Sequence, residues 1–196
     1  MTDFGQQHLF AAKKLIRNLV KDTSAFSNND CHSFLCLGIY LYWDMSTAFL
    51  VHPDEQQQLD TIEISIAVHK MGNWHHPMYG SCTELLFILA NVARYDRLLL
   101  ESEQRNLTQE TGLERGLCEW AATPPTIVLG HLYEAWRTIG FVFLYTVSGW
   151  NPSFQNPDLV NHDLESLISH YARESIWHLV KIPVSSNNLN YQSLSR

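Results

Sequence analysis

The chain has 196 residues, 45% of them hydrophobic and 12% aromatic, enough apolar surface to offset the conformational entropy of folding one domain. Its formal charge is −7 with a pI near 5.7, so its overall field repels a phosphate backbone and argues against direct nucleic-acid binding. The four cysteines, Cys31, Cys36, Cys82 and Cys118, form no dense framework, which excludes a disulfide-stapled scaffold and leads us to expect buried thiols in a reducing compartment.

In the first segment, Leu9 to Val20, the residues Leu9, Ala12, Ile16, Leu19 and Val20 recur on one face of a helix, with Thr2 or Asp3 as upstream cap. Lys13, Arg17 and Lys21 mark its opposite, solvated flank, and the lysines and Arg17 break the stretch as a secretion signal. Asp30 is placed to cap the next helix, which is apolar on nearly every side through Phe34, Leu35, Leu37, Ile39, Leu41 and Trp43. The stretch Cys31 to Val51 is long enough to span a bilayer, but Asp44, His32 and Ser46-Thr47 mark it as a core helix instead.

Pro53 ends that helix, Asp54 caps the following one, and Leu59, Ile62 and Ile66 form its stripe until Gly72. Ser81 and Glu84 have the S-x-x-E spacing of a capping box, opening a long helix to about Glu103. In it Leu85, Ile88, Leu89, Val92, Tyr95 and Leu99 form the core face, and Arg94, Asp96 and Arg97 the wet face. A glycine-interrupted helix is expected over Leu107 to Ala121, stopped by Pro124-Pro125, with Thr126 opening a second core helix over Ile127 to Val147. Glu134 and Arg137 lie on that helix's polar side. Gly149, Pro152 and Pro157 bracket a loop, and Val160, Leu164, Leu167, Ile168 and Tyr171 line a last helix running to Val180 and stopped by Pro183. The expected organisation is an all-α, irregular bundle of six to seven helices over residues 1–182, with a disordered polar tail over 183–196.

Ten histidines raise the question of a metal. His162, His170 and His178 are spaced by eight residues, so each step turns the helix by about 80° and they share no face. His69, His75 and His76 cluster without an H-E-x-x-H or C-x-x-C partner, and His76 reads as part of a loop held extended by Pro77. No nucleophile elbow, dinucleotide turn or phosphate-binding loop occurs, and the carboxylate pairs Glu101 with Glu103 and Asp60 with Glu63 read as solvated helix faces. We therefore expect no catalytic, metal-binding or cofactor-binding residue and no cofactor; a metal enzyme using His69, His75 or His76 is the weaker alternative.

The stretch His76 to Arg97, HPMYGSCTELLFILANVARYDR, resembles the regulatory middle region of fungal zinc-cluster transcription factors, whose G-x-x-x-E-L-L signature Gly80, Glu84, Leu85 and Leu86 match. Trp136-Arg137 and Leu144-Tyr145 in the segment Leu132 to Gly149 look like the family's later helix, and Phe34 to Met45 is similar to the helix before the signature. The resemblance covers residues 30–180, and the order of the three segments carries it.

This resemblance implies an α-helical, nuclear transcription-regulatory domain that in full-length factors follows a DNA-binding zinc cluster. Four cysteines cannot supply the six thiolates of that cluster, so the chain is expected to lack a DNA-binding module of its own and to be an incomplete domain. The expected partners are proteins of the transcription machinery or a second copy, with neither nucleic acid nor membrane. A small-molecule effector is compatible with the core between the two apolar helices. The alternative is a helical interaction module exposing apolar surface.

Overall fold

A computed structural model describes residues 3–21, 31–51, 61–72, 74–121, 124–149 and 163–183. These contain seven α-helices: α1 (Asp3–Lys21), α2 (Cys31–Thr47), α3 (Thr61–Met71), α4 (Thr83–Ser102), α5 (Leu107–Glu119), α6 (Ile127–Ser148) and α7 (Leu164–Val180). Among the described residues the sole extended pairing is an isolated bridge between His76 and Gly80, so the architecture is all-α. The caps assigned to Thr2, Asp30 and Asp54, the stop at Pro53, Leu59, the loop through Pro152 and Pro157, Val160, His162 and the tail from Val184 lie outside the described residues.

Helix α4 occupies the middle. Its apolar residues recur every three or four positions, so Leu85, Leu89, Val92 and Leu99 fall on one side, where they are buried with Leu86 and Tyr95. α2 and α6 pack on this helix, with α3 and α5 making smaller contacts, and α7 lies along α6. Leu85 and Leu86 are fully buried, each worth about 1.5–3 kcal/mol of apolar transfer. The helix closes on Glu103, whose φ of 55° turns its N–H back onto the Leu99 carbonyl. The stops at Gly72 and Gly149 and the start at Thr126, whose hydroxyl accepts from the Leu129 N–H, fall where the sequence places them. Asp163, not singled out above, caps α7 by accepting from Ser166 N–H at 2.8 Å.

Burial departs from expectation in α3, in α2, at the cysteines and at Lys13. In α3 the buried face is Ile64, Ala67, Val68 and Met71, leaving Ile62 73% and Ile66 52% exposed. The two stripes are one residue or two apart in register, and apolar residues at positions 62, 64, 66, 67 and 68 leave periodicity unable to choose. α2 is buried on one side only: Trp43 is 60% and Ile39 41% exposed, because α4 covers Phe34, Leu37 and Leu41. Cys31, Cys36 and Cys118 are exposed, and Cys82 alone is buried. Lys13, assigned to a wet flank, is buried beside Asp44 and Arg94.

Gly38 in α2 lies directly under the α3–α4 turn, where an added Cβ would come within 2.5 Å of His76 Cδ2 and overlap the Tyr79 hydroxyl. Gly112 in α5 has nothing within 4 Å of that position. The two glycines therefore respond oppositely to the same change. In urea titrations, Gly112→Ala is expected to stabilise the chain by about 0.5–1 kcal/mol and Gly38→Ala to destabilise it by about 1–3 kcal/mol.

Candidate functional site

The turn between α3 and α4 carries the signature residues and is built from side chains inward. Pro77 follows His76, and His76 and Gly80 exchange backbone hydrogen bonds of 3.0 and 2.9 Å, closing a tight loop. The Met78 N–H donates to His76 Nδ1 at 3.1 Å, which makes Nδ1 an acceptor and places the ring proton on Nε2. The ring is fully buried, stacked on Tyr79 at 3.8 Å and met edge-on by Trp74 at 5.7 Å. Burial pushes its pKa down to about 4, so His76 stays neutral and serves as packing.

Gly80 has φ +70°, and a Cβ there would overlap the Tyr133 hydroxyl. That hydroxyl donates to the Tyr79 carbonyl at 2.8 Å and accepts from the Ser81 N–H at 2.9 Å, fastening the turn to α6. The capping box expected from Ser81 and Glu84 does not form. The N-cap is Cys82, with no side-chain cap hydrogen bond, while the Ser81 hydroxyl lies 3.4 Å from His75 Nδ1. Tyr133 has taken the Ser81 amide, and the left-handed Gly80 carries the chain into the helix one residue later than Ser81 would.

Among the described residues, four buried carboxylates occupy the interior, three of them with a partner. Asp44 on α2 pairs with Arg94 of α4, which also donates to Asn91 at 3.0 Å. Glu110 on α5 accepts from Tyr95 at 2.5 Å and from Arg105 at 3.1 and 2.7 Å. Glu114 accepts from Tyr145 of α6 at 2.7 Å. Asp96, expected on the wet face, is buried with Oδ1 lacking a hydrogen-bond partner. Desolvation, reinforced by the charge of Glu110, raises its pKa to about 7.

A cleft of about 310 Å³ opens between α6, α7 and the α5–α6 connection. Trp120, Pro124, Ile127 and Tyr133 form its walls, and His131, Glu134 and His178 bring polar atoms into it. His131 Nδ1 and His178 Nδ1 are 3.0 Å apart, a hydrogen bond that joins α6 to α7 across 47 residues of sequence. Trp177 meets both imidazoles edge-on, at 5.6 and 4.8 Å, and the Lys181 ammonium lies 5.3 Å from the Trp177 ring centre. The Glu134 carboxylate is held by Arg137 at 2.6 Å, the pair foreseen from their spacing. The cleft sits between α6 and α7, not between the two apolar helices α2 and α6.

His69 and His75 are exposed, His76 is buried against Tyr79, and His170 lies apart from the His131–His178 pair. Among the described residues, no group of three or more His, Cys, Asp or Glu side chains is placed to hold a metal ion, and no helix is long and apolar enough to cross a membrane. The sequence missed His131 because its partner is on another helix; His178 was weighed only against histidines of its own helix.

Seven helices packed around a central α4, with a glycine turn feeding its N-terminus, define an all-α helical domain among the described residues. The chain belongs to the fungal specific transcription factor domain family, whose model matches residues 1–190. No curated protein and no solved structure matches it significantly. The family places the chain in transcription regulation.

Two titrations check the buried groups. Asp96 has a folded-state pKa above its unfolded value of about 3.8, so it costs stability increasingly as pH rises from there through 7. Asp96→Asn is expected to raise the unfolding free energy at pH 8 by up to about 3 kcal/mol and to change it little at pH 4, measured by urea denaturation. His76 has the opposite sign: its folded pKa lies below the unfolded 6.5, so its contribution is complete above pH 6.5 and falls away toward about pH 4. His76→Phe is expected to flatten stability against pH in that window while lowering it at pH 7.5.

Proposed function

We propose that the chain is a nuclear regulatory domain that acts on transcription through protein contacts and does not itself hold DNA. The family match over residues 1–190 carries this reading. It is supported by the net charge of −7, which disfavours a phosphate backbone, and by a cysteine count of four, short of the six thiolates of a binuclear zinc cluster. The partners are proteins of the transcription machinery or further copies of the regulator, met through surface that the helices leave open; α2 offers Ile39, Tyr42 and Trp43 on its outer side.

The test separates regulation from DNA contact. Fused to a heterologous DNA-binding domain in a fungal host, the chain is expected to change output from a reporter bearing that domain's site. The isolated chain is expected to show no salt-dependent shift in fluorescence anisotropy of a DNA duplex. A fusion giving the same output as the DNA-binding domain alone, or duplex binding that weakens with salt, contradicts the reading.

A further inference from the structure

We propose that the outer face of α2 pairs with the same face of a second copy of this chain, making a two-fold symmetric dimer. This narrows the regulatory reading above, on which its functional meaning rests, to one partner. Ile39, Tyr42 and Trp43 are exposed on α2, and the chain keeps winding past the end of that helix: the Ala48 N–H donates to the Asp44 carbonyl at 2.8 Å and the Leu50 N–H to that of Thr47 at 2.9 Å. Phe49 and Leu50 therefore stand two turns on from Tyr42 and Trp43. Cys36, Ile39, Trp43, Ser46 and Leu50 recur every three or four residues as one exposed seam, the spacing by which two helices pack side by side.

The occupant follows from charge and area. α2 carries one carboxylate and no Lys or Arg, and that carboxylate, Asp44, is buried against Arg94, so the seam shows no charged side chain. The Ser46 hydroxyl is already donated to the Tyr42 carbonyl at 2.8 Å. A charged partner finds nothing here to pair with, whereas a second seam meets this one without stranding a charge or that hydroxyl. The exposed apolar residues of α4 and α7 are interspersed with charge instead, Leu98 and Leu100 with Arg97 and Glu101, Ile176 and Trp177 with Arg173 and Glu174. Ile39, Tyr42, Trp43, Phe49 and Leu50 together leave roughly 500 Å² exposed, at about 200 Å² for a whole residue of this size, which is the upper range for a patch on a monomer. Doubled across a symmetric pair this is roughly 1,000 Å², the smallest area typical of a specific interface, and it suits a reversible dimer of micromolar affinity. Tyr42 is stacked on Tyr79 at 6.0 Å, so covering it costs little side-chain freedom.

Sedimentation equilibrium of the 196-residue chain is expected to show the mass rising from monomer to dimer through the micromolar range. Added salt screens the repulsion between two chains of net charge −7 and is expected to strengthen the association. Trp43 is 60% and Leu50 61% exposed, so Trp43→Glu and Leu50→Glu keep the fold, checked by circular dichroism; each is expected to weaken dimerisation at least about tenfold. Ile127→Asp, at a side chain 82% exposed on α6, is expected to leave it unchanged. A monomer at every concentration, which would give the face to another segment of this chain or to a different protein, overturns the proposal. So does a dimer that salt dissociates, an unchanged affinity in both seam variants, or an equal loss in Ile127→Asp. A monomer whose reporter fusion is active removes the dimer and leaves regulation through other proteins, whereas a dimer whose fusion is inert keeps the interface and counts against the regulatory reading alone.

Discussion

The hydroxyl of Tyr133 donates to one backbone carbonyl and accepts from an amide two residues later, so α6 grips the turn that aims α4. Everything else in the described bundle is arranged around α4, and the turn is the only covalent entry to it from α3. Its geometry is over-determined. Gly80 supplies the positive φ and leaves room for the hydroxyl, and His76 and Tyr79 stack on each other over Gly38 of α2. A phenol from α6, a glycine from α2 and a loop histidine therefore fix one crossing of three helices. The signature Gly80, Glu84, Leu85 and Leu86 is best understood in these terms: the glycine is a steric requirement, the leucines are core, and Glu84 is exposed at the first turn, where its charge suits the helix N-terminus.

Helix existence and most boundaries were legible because they depend on local signals: Thr126 as a cap, Gly72 and Gly149 as stops, Pro124-Pro125 as a break. Which face is buried was legible where the period was clean, as in α4, and illegible where it was not, as in α3 with its run of Ile62, Ile64, Ile66 and Val68. The buried charges escaped for another reason. Lys13 and Asp96 read as wet because a charged residue is costly inside, and nothing local marks Asp44 or Glu114 as buried and paired, since Arg94 lies 50 residues from Asp44 and Tyr145 31 from Glu114. The His131–His178 contact is hidden in the same way. Spacing along one helix says nothing about a partner on another.

These polar contacts also bear on what the domain can do. Asp44–Arg94 ties α2 to α4, and Tyr145–Glu114 ties α6 to α5. The α6–α7 pair has in addition the Ser175 hydroxyl donating to the Ala135 carbonyl at 3.1 Å and the two imidazoles. Buried pairs of this kind are poor sources of net stability but penalise any rearrangement that separates the partners. Tyr133 both lines the α6–α7 cleft and fastens the turn, so the two share one side chain of α6.

The most direct test of the central claim is the hydrogen-exchange rate of the Ser81 amide in Tyr133→Phe compared with wild type. If the hydroxyl fixes the turn, removing it leaves a buried carbonyl and amide without their partner, and Ser81 protection falls by about 1–3 kcal/mol together with the amides of the first turns of α4. Unchanged protection at Ser81, with α4 exchanging as before, would contradict the claim and leave the turn held by the His76–Tyr79 stack alone.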